Sequence, residues 1–289
     1  MKNQTMKGQR RTMSKKRDDI VRANALNYNA SLQLWYNRGI QKLIKKMTTE
    51  VKKEVTKLFK RLPVPEFTSD ESIGSQSRIL MNMLTDKFEK LFAREGQDLV
   101  DHMMERNLEI SSVNIKKSLK ELSGGLSINT SRVPKELTDV VNASIAENVS
   151  LIKSIPAQYF KDVTGAVMRS ITSGQGLYDL LPEIKKYEGV TARRAELIAL
   201  DQTRKAYSSV NAIKLDKLGV KKFEWLHSGG SREPRESHIK IDGEIFSFAN
   251  LEAEQAARGV PKQDRGLPGT PINCRCRIVA VIDFDGDDE

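Results

Sequence analysis

The residues that restrict backbone shape or carry reactive side chains crowd into two stretches near the end of this chain. Lys221 to Gly243 reads KKFEWLHSGGSREPRESHIKIDG, and Gly266 to Val281 reads GLPGTPINCRCRIVAV. Both cysteines and two of the three histidines lie within them, together with many of the glycines and prolines that force turns. The rest of the chain reads as long charged helices. The expected fold is therefore α+β: a long, mostly helical N-terminal region followed by a small mixed α+β C-terminal domain.

The helical part is read from periodicity. Residues 1–14 lack it and read as a disordered, basic N-terminus. From Lys15 to Arg61, Leu32, Trp35, Tyr36, Ile40, Leu43, Ile44, Met47, Val51, Val55, Leu58 and Phe59 recur at three- and four-residue steps, the signature of one amphipathic helix. Its stripe packs in the core or meets another subunit. Pro63 and Pro65 end it. A second helix is expected from Ile73 to Asn107, with Ile79, Leu80, Met83, Leu84, Phe88, Leu91, Phe92, Leu99 and Met103 on its apolar face. His102 on this helix reads as a surface or packing histidine. A shorter helix follows over 112–122 and ends at Gly124-Gly125. Pro134 and Pro156 each open a further helix at a first-turn position. Thr191 is expected to cap the helix that Gly219 closes. No strand signal precedes residue 220.

Beyond that point the pattern changes to period two. Residues 221–226 read as a strand with Phe223 and Trp225 on one face. Ile239 to Phe248 reads as a hairpin turning at Asp242-Gly243, Leu251–Ala257 as a helical turn, and Arg275–Ile282 as a last strand. The expected division is 1–14, a helical arm or bundle over 15–188, the mixed domain over 189–283, and an acidic tail over 284–289.

Charge is unevenly placed. The chain's net charge is +10, yet residues 1–61 alone carry 17 Lys and Arg against 4 Asp and Glu. Lys15, Lys16, Arg17, Lys45, Lys46, Lys52 and Lys53 are the candidates for contacting nucleic acid or an acidic partner; a solvated basic helix face is the plainer alternative. No apolar run approaches the roughly 18–20 residues of a membrane span, and no apolar h-region follows the basic N-terminus, so neither membrane nor secretion is expected.

The one candidate metal set is His238, Cys274 and Cys276, with His227 as a fourth ligand. Thiolate and imidazole are the donors that zinc prefers. C-x-C brings both sulfurs to one ion only where the backbone curls. The alternative is that Cys276 packs as a small apolar residue and His238 bonds a loop carbonyl. Asp201, Gln202 and Thr203 are polar residues in a half-buried helix and are expected to bond neighbouring loops. No G-x-S-x-G elbow, phosphate loop or histidine dyad is present, so no catalytic residue is assigned and no enzyme is expected.

The C-terminal third resembles the phage Mu F-like minor head proteins, the head morphogenesis family of tailed phages. The pieces that carry the resemblance are RAELIALDQTRKAY (Arg194–Tyr207), FEWLHSGG (Phe223–Gly230), EPRESHIKIDGEIFSF (Glu233–Phe248) and GLPGTPINCRCRIVAV, in that order over about residues 190–282. The specific part is R-x-x-H-x-x-x-D-G, from Arg235 through His238 to Asp242 and Gly243, combined with P-x-N-C-R-C around Asn273. Many members carry C-x-x-C where this chain has Arg235 and His238, so a four-cysteine site does not carry over intact. Some members extend into a toxin or nuclease domain. The sequence runs seven residues past Ile282, so none is expected here.

The resemblance implies a structural virion protein: a minor capsid component at the portal vertex, made in the host bacterial cytoplasm and then held inside the head. Its implied partners are the portal protein, scaffold or capsid proteins and double-stranded DNA, in head morphogenesis and in DNA packaging or ejection. Trp225, Arg235, Asp242, Gly243 and Asn273 would be structural motif residues of the domain. Two other readings remain open on the residues alone: a metal-dependent DNA-processing enzyme using His238 and the cysteines, and a basic helical DNA-binding protein.

Overall fold

The computed structural model describes residues 20–61, 72–122, 135–174, 176–229 and 233–283. Four long helices make most of it: α1 (Ala30–Arg61), α2 (Ile73–Leu122), α3 (Lys135–Thr172) and α4 (Leu177–Lys217). Four short strands, β1 (Ile20–Arg22), β2 (Lys222–Leu226), β3 (Ile245–Ser247) and β4 (Arg277–Asp283), form one antiparallel sheet in the order β1-β4-β2-β3. Two short helices, α5 (Glu236–Lys240) and α6 (Leu251–Ala257), lie in its connections. The chain is a helical bundle with a small mixed α+β module at its C-terminal end.

The periodicity of α1 is realised as expected. Asn29 caps the helix, its Oδ1 accepting from the Leu32 N–H at 3.0 Å. Tyr36, Ile40, Leu43, Ile44, Met47, Val51 and Val55 are all buried in the bundle core. Trp35 falls off this stripe and lies at the surface, its ring 4.6 Å from that of His102. On α2 the face has turned: Ile79 and Met83 are exposed, and Met81, Leu84, Phe88, Phe92, Val100 and Met103 point inward. Small residues bring the helices close. A Cβ on Gly39 would stand 2.5 Å from Leu99, and one on Gly96 would stand 2.6 Å from Ile152.

Several expected breaks are absent, each for a tertiary reason. α2 runs through Asn107 to Leu122, and polar residues at the expected junction of the two helices are paired with α4. The Asn107 amide donates to the Thr203 carbonyl at 3.3 Å, and the Ser111 hydroxyl to Asn211 at 2.6 Å. Pro156 sits inside α3, where its missing N–H is offset by the burial of Ile152, Ile155, Tyr159 and Phe160. Thr191 does not cap α4. It lies mid-helix, its hydroxyl bonded to the Tyr187 carbonyl at 2.8 Å. The turns expected at Pro63, Gly124 and Pro134 lie outside the described residues.

Two strand assignments also change. Residues 20–22, expected as helix, form β1 and pair with β4 in the register Ile20↔Asp283. The hairpin over 239–248 does not form. Residues 236–240 are the helix α5, and Gly243, at φ +78°, turns the chain from that helix into β3. β3 pairs instead with β2, Phe223 opposite Phe246. The backbone at the turn is committed to β2 instead: the Gly243 N–H bonds the Trp225 carbonyl at 2.8 Å, and the Trp225 N–H bonds the Glu244 carbonyl at 2.9 Å. β2 matches its expected span, with Phe223 and Trp225 buried.

Two hydrophobic clusters result. The larger belongs to the bundle; the smaller joins β2, β3 and β4 to Ala23 and Leu26 after β1, to Ile115 and Leu119 of α2, and to Tyr207 and Leu215 of α4. α2 and α4 therefore thread both cores.

Lys214 on α4 sits at this junction, its ammonium donating to the Leu108 carbonyl at 2.8 Å and to Ser112 at 2.7 Å. Burial lowers its pKa from 10.5 to about 8. Between those values the unfolded chain binds more protons than the folded one, so this group makes stability rise with pH across that window. Lys214→Met should flatten that slope in urea titrations between about pH 8 and pH 10.5. An unchanged slope would assign it to another group.

Candidate metal centre

The two cysteines and His238 meet on the inner side of the sheet module. His238 comes from α5, directly after the extended Arg235; Cys274 and Cys276 come from the segment that leads into β4. The curl that C-x-C requires is present. The Cys274 N–H closes a turn onto the Pro271 carbonyl at 2.9 Å, and Asn273 within it adopts φ +59°. Asparagine tolerates that left-handed geometry better than other side-chain-bearing residues. The ligating atoms of His238, Cys274 and Cys276 all lie within 4.8 Å of one another, and all three residues are buried.

The polar geometry is directional. His238 Nε2 lies 2.9 Å from the Asp264 carbonyl, so that nitrogen carries the proton and donates it. Nδ1 then turns its lone pair toward Cys274 Sγ at 3.6 Å and Cys276 Sγ at 3.8 Å. The Gly269 N–H donates to Cys274 Sγ at 3.3 Å. Burial works against protonating His238, but the hydrogen bonds to the Cys274 sulfur and the Asp264 carbonyl outweigh it and leave its pKa above the ordinary value. The sulfur–sulfur hydrogen bond lowers the Cys274 pKa against the upward push of burial, and the same bond raises that of Cys276.

A shell of clamps fixes these three side chains. Asp264 accepts from Arg235 Nε and from the Ser237 hydroxyl, both at 2.8 Å, while its carbonyl holds His238. Arg235 also donates to the Ile272 carbonyl at 2.8 Å. Asp201 of α4 reaches across to accept the Asn273 N–H at 2.7 Å. Asp242 accepts the His227 N–H at 2.7 Å, and the Gly243 N–H bonds the Trp225 carbonyl at 2.8 Å. The Trp225 ring meets the His238 ring edge-on at 4.8 Å.

Not every expected residue joins this arrangement. His227 is not part of the cluster; its Nδ1 accepts from the Gly229 N–H at 3.3 Å. Of the helix triplet, only Asp201 holds a loop. Gln202 faces α3, accepting from Asn148 at 3.1 Å, and the Thr203 hydroxyl bonds the Ala199 carbonyl at 2.6 Å. Both point into the bundle because successive helical positions diverge by about 100°. Sequence reading missed Asp264, Gln255 and Arg204. The Gln255 amide is buried and bonds both backbone groups of Gly266, at 2.9 and 3.0 Å. Arg204 is buried over the Tyr28 ring at 4.7 Å, and its Nε and Nη1 have no hydrogen-bond partner. Nothing local marks these three in the sequence.

The basic candidates lie elsewhere. Lys45, Lys46, Lys52 and Lys53 are exposed on α1. Lys45, Lys46 and Lys53 border a groove of about 1270 Å³ between α1 and α2, opposite Glu95 and Asp98. Lys46 lies 3.7 Å from Glu95, so the groove carries both signs of charge. Lys15, Lys16 and Arg17 lie outside the described residues.

Residues 161–279 match the family model described as phage Mu protein F like protein. This stretch is similar to the Mu F-like family. The Mu F-like region begins inside α3, earlier than the motifs alone suggested, and it contains every residue of the cluster and its clamps. An uncharacterized protein of Haemophilus influenzae (strain Rd) is 32% identical over 256 residues, which cover 87% of this chain and 53% of that protein. The chain thus spans about half the length of that relative. No solved structure matches the chain. Among the described residues, no helix is long and apolar enough to cross a membrane.

Proposed function

We propose that this chain is a structural minor head protein of a tailed phage, acting in head morphogenesis at the portal vertex. The observation that carries the reading is the Mu F-like match over residues 161–279, which takes in α4, β2, β3 and the whole histidine–cysteine cluster. The architecture supports it. α2, 50 residues long, extends about 75 Å at the helical rise, a rigid strut suited to bridging ring-shaped neighbours. The partners this reading assigns are the portal protein, scaffold or capsid proteins and packaged double-stranded DNA. The place of action is the host cytoplasm during assembly and the head interior afterwards.

The reading is non-enzymatic. His238 is 2% exposed, and both cysteines are nearly as deeply buried. A group that turns over substrate has to reach it, whereas these three side chains tie loops together.

Co-expression with the portal protein of the same gene neighbourhood, followed by affinity capture and sizing, tests the proposal. The expected result is co-elution with a ring-sized oligomer. A folded chain that elutes alone while the portal ring forms without it would overturn portal association.

A further inference from the structure

One imidazole lone pair faces two sulfurs. With Nε2 committed as a donor to Asp264, His238 Nδ1 has a single in-plane lone pair, which a single S–H satisfies. The second sulfur, at 3.8 Å against 3.6 Å, faces the same nitrogen with no imidazole lone pair left to bond it. A cation between them engages all three atoms at once. The distances are those a bound ion requires. Zinc bonds of about 2.3 Å to sulfur and 2.0–2.1 Å to imidazole, at a tetrahedral angle, place sulfur and nitrogen about 3.6 Å apart. The two observed separations are 3.6 and 3.8 Å.

The surroundings have the features of a metal site too. The non-ligating nitrogen of His238 is held by a carbonyl, which sets the tautomer and the ring direction. The Gly269 N–H bonds the Cys274 sulfur, as backbone amides do at thiolate ligands. The donor set is two soft sulfurs and one imidazole, with no carboxylate among them. That excludes a calcium- or magnesium-type site and favours zinc.

We propose that His238 Nδ1, Cys274 Sγ and Cys276 Sγ bind one zinc ion that pins α5 to the segment entering β4. The role is structural. Three protein ligands leave a fourth position for a water, and all three residues are buried, His238 at 2% exposure. The ion would cross-link two segments that are 36 residues apart in sequence at His238 and Cys274, in a module whose own sheet is only four short strands. This inference is independent of the portal reading.

The test uses the full chain, grown with added zinc and purified without chelator. Elemental analysis should find about one zinc per chain. Exchange with Co(II) should produce sulfur-to-cobalt charge-transfer absorption, and Cys276→Ala should abolish it. In the wild-type chain both cysteines should resist alkylation until a chelator is added, and chelation should lower Tm. The alkylation and Tm measurements keep the test decisive even where Cys276→Ala fails to fold. A folded, metal-free chain with no cobalt–sulfur band would overturn the proposal. So would a band that survives in folded Cys276→Ala, or a Cys274–Cys276 disulfide in protein kept under reductant.

Discussion

Trp225→Ala should destabilise the protein by about 3–5 kcal/mol, the range for emptying an aromatic site in a core. Trp225 is fully buried in the middle of β2, with Phe246 ring-to-ring at 6.3 Å on one side and His238 at 4.8 Å on another. Sheet backbone on both flanks keeps the site from collapsing: β2 pairs with β3 through Phe223↔Phe246 and with β4 through Trp225↔Ile278. The indole N–H meets the Cys276 sulfur, a weak acceptor, so its loss adds little to the cost of the cavity. Guanidinium denaturation of variant and wild type side by side is the measurement. A change below about 1 kcal/mol would mean that neighbouring side chains refill the space.

Phe88→Ala should cost a similar amount, about 3–5 kcal/mol, from the other core. Phe88 is fully buried on α2 and stacks with Phe160 of α3, ring centroids 6.1 Å apart. The informative part is where the loss appears. α2 supplies Phe88 to the bundle core and Ile115 and Leu119 to the sheet-module core, and α4 divides between the cores in the same way. A helix cannot lose one half of its packing and keep the other half at full stability, because helices of this composition depend on tertiary contacts. Phe88→Ala and Trp225→Ala should thus shift one shared transition. Helical circular dichroism would report it in both variants, and Trp225 fluorescence in a Trp35→Phe background would report it in the wild type and in Phe88→Ala, the two probes coinciding. Two resolved transitions, each moved by only one substitution, would show that the cores unfold independently.

Much of this architecture follows from local pattern. The α1 stripe from Tyr36 to Val55, the strand β2 and the short helix α6 were all legible, because burial alternates with the same period as the backbone geometry. The cluster was legible as a set of residue types, since two cysteines and a histidine are scarce enough to stand out. That Cys274 and Cys276 curl toward one point depends on Asn273, whose φ of +59° a sequence pattern suggests but does not demand.

What escaped local reading is consistently non-local. Asn107, Ser111 and Pro156 look like helix breakers, but each sits in a helix whose neighbours satisfy or outweigh the break. β1 is only three residues, and its strand character exists only because β4, some 260 residues later, offers it an edge. Residues 239–241 have strand composition but join a helix and its turn, while the backbone of Gly243 and Glu244 just after them pairs with Trp225 of β2. Asp264, which ties Arg235, Ser237 and His238 together, sits in a polar loop with no pattern to mark it. Sequence alone therefore determined which faces are apolar, where the chain turns from helix to strand, and which residues carry the chemistry. Only the tertiary structure decided which polar groups find partners, which helices run on, and that one imidazole lone pair faces two sulfurs. The physical reason is that period and composition act within a few residues, whereas hydrogen-bond satisfaction and strand edges are settled by segments brought together from opposite ends of the chain.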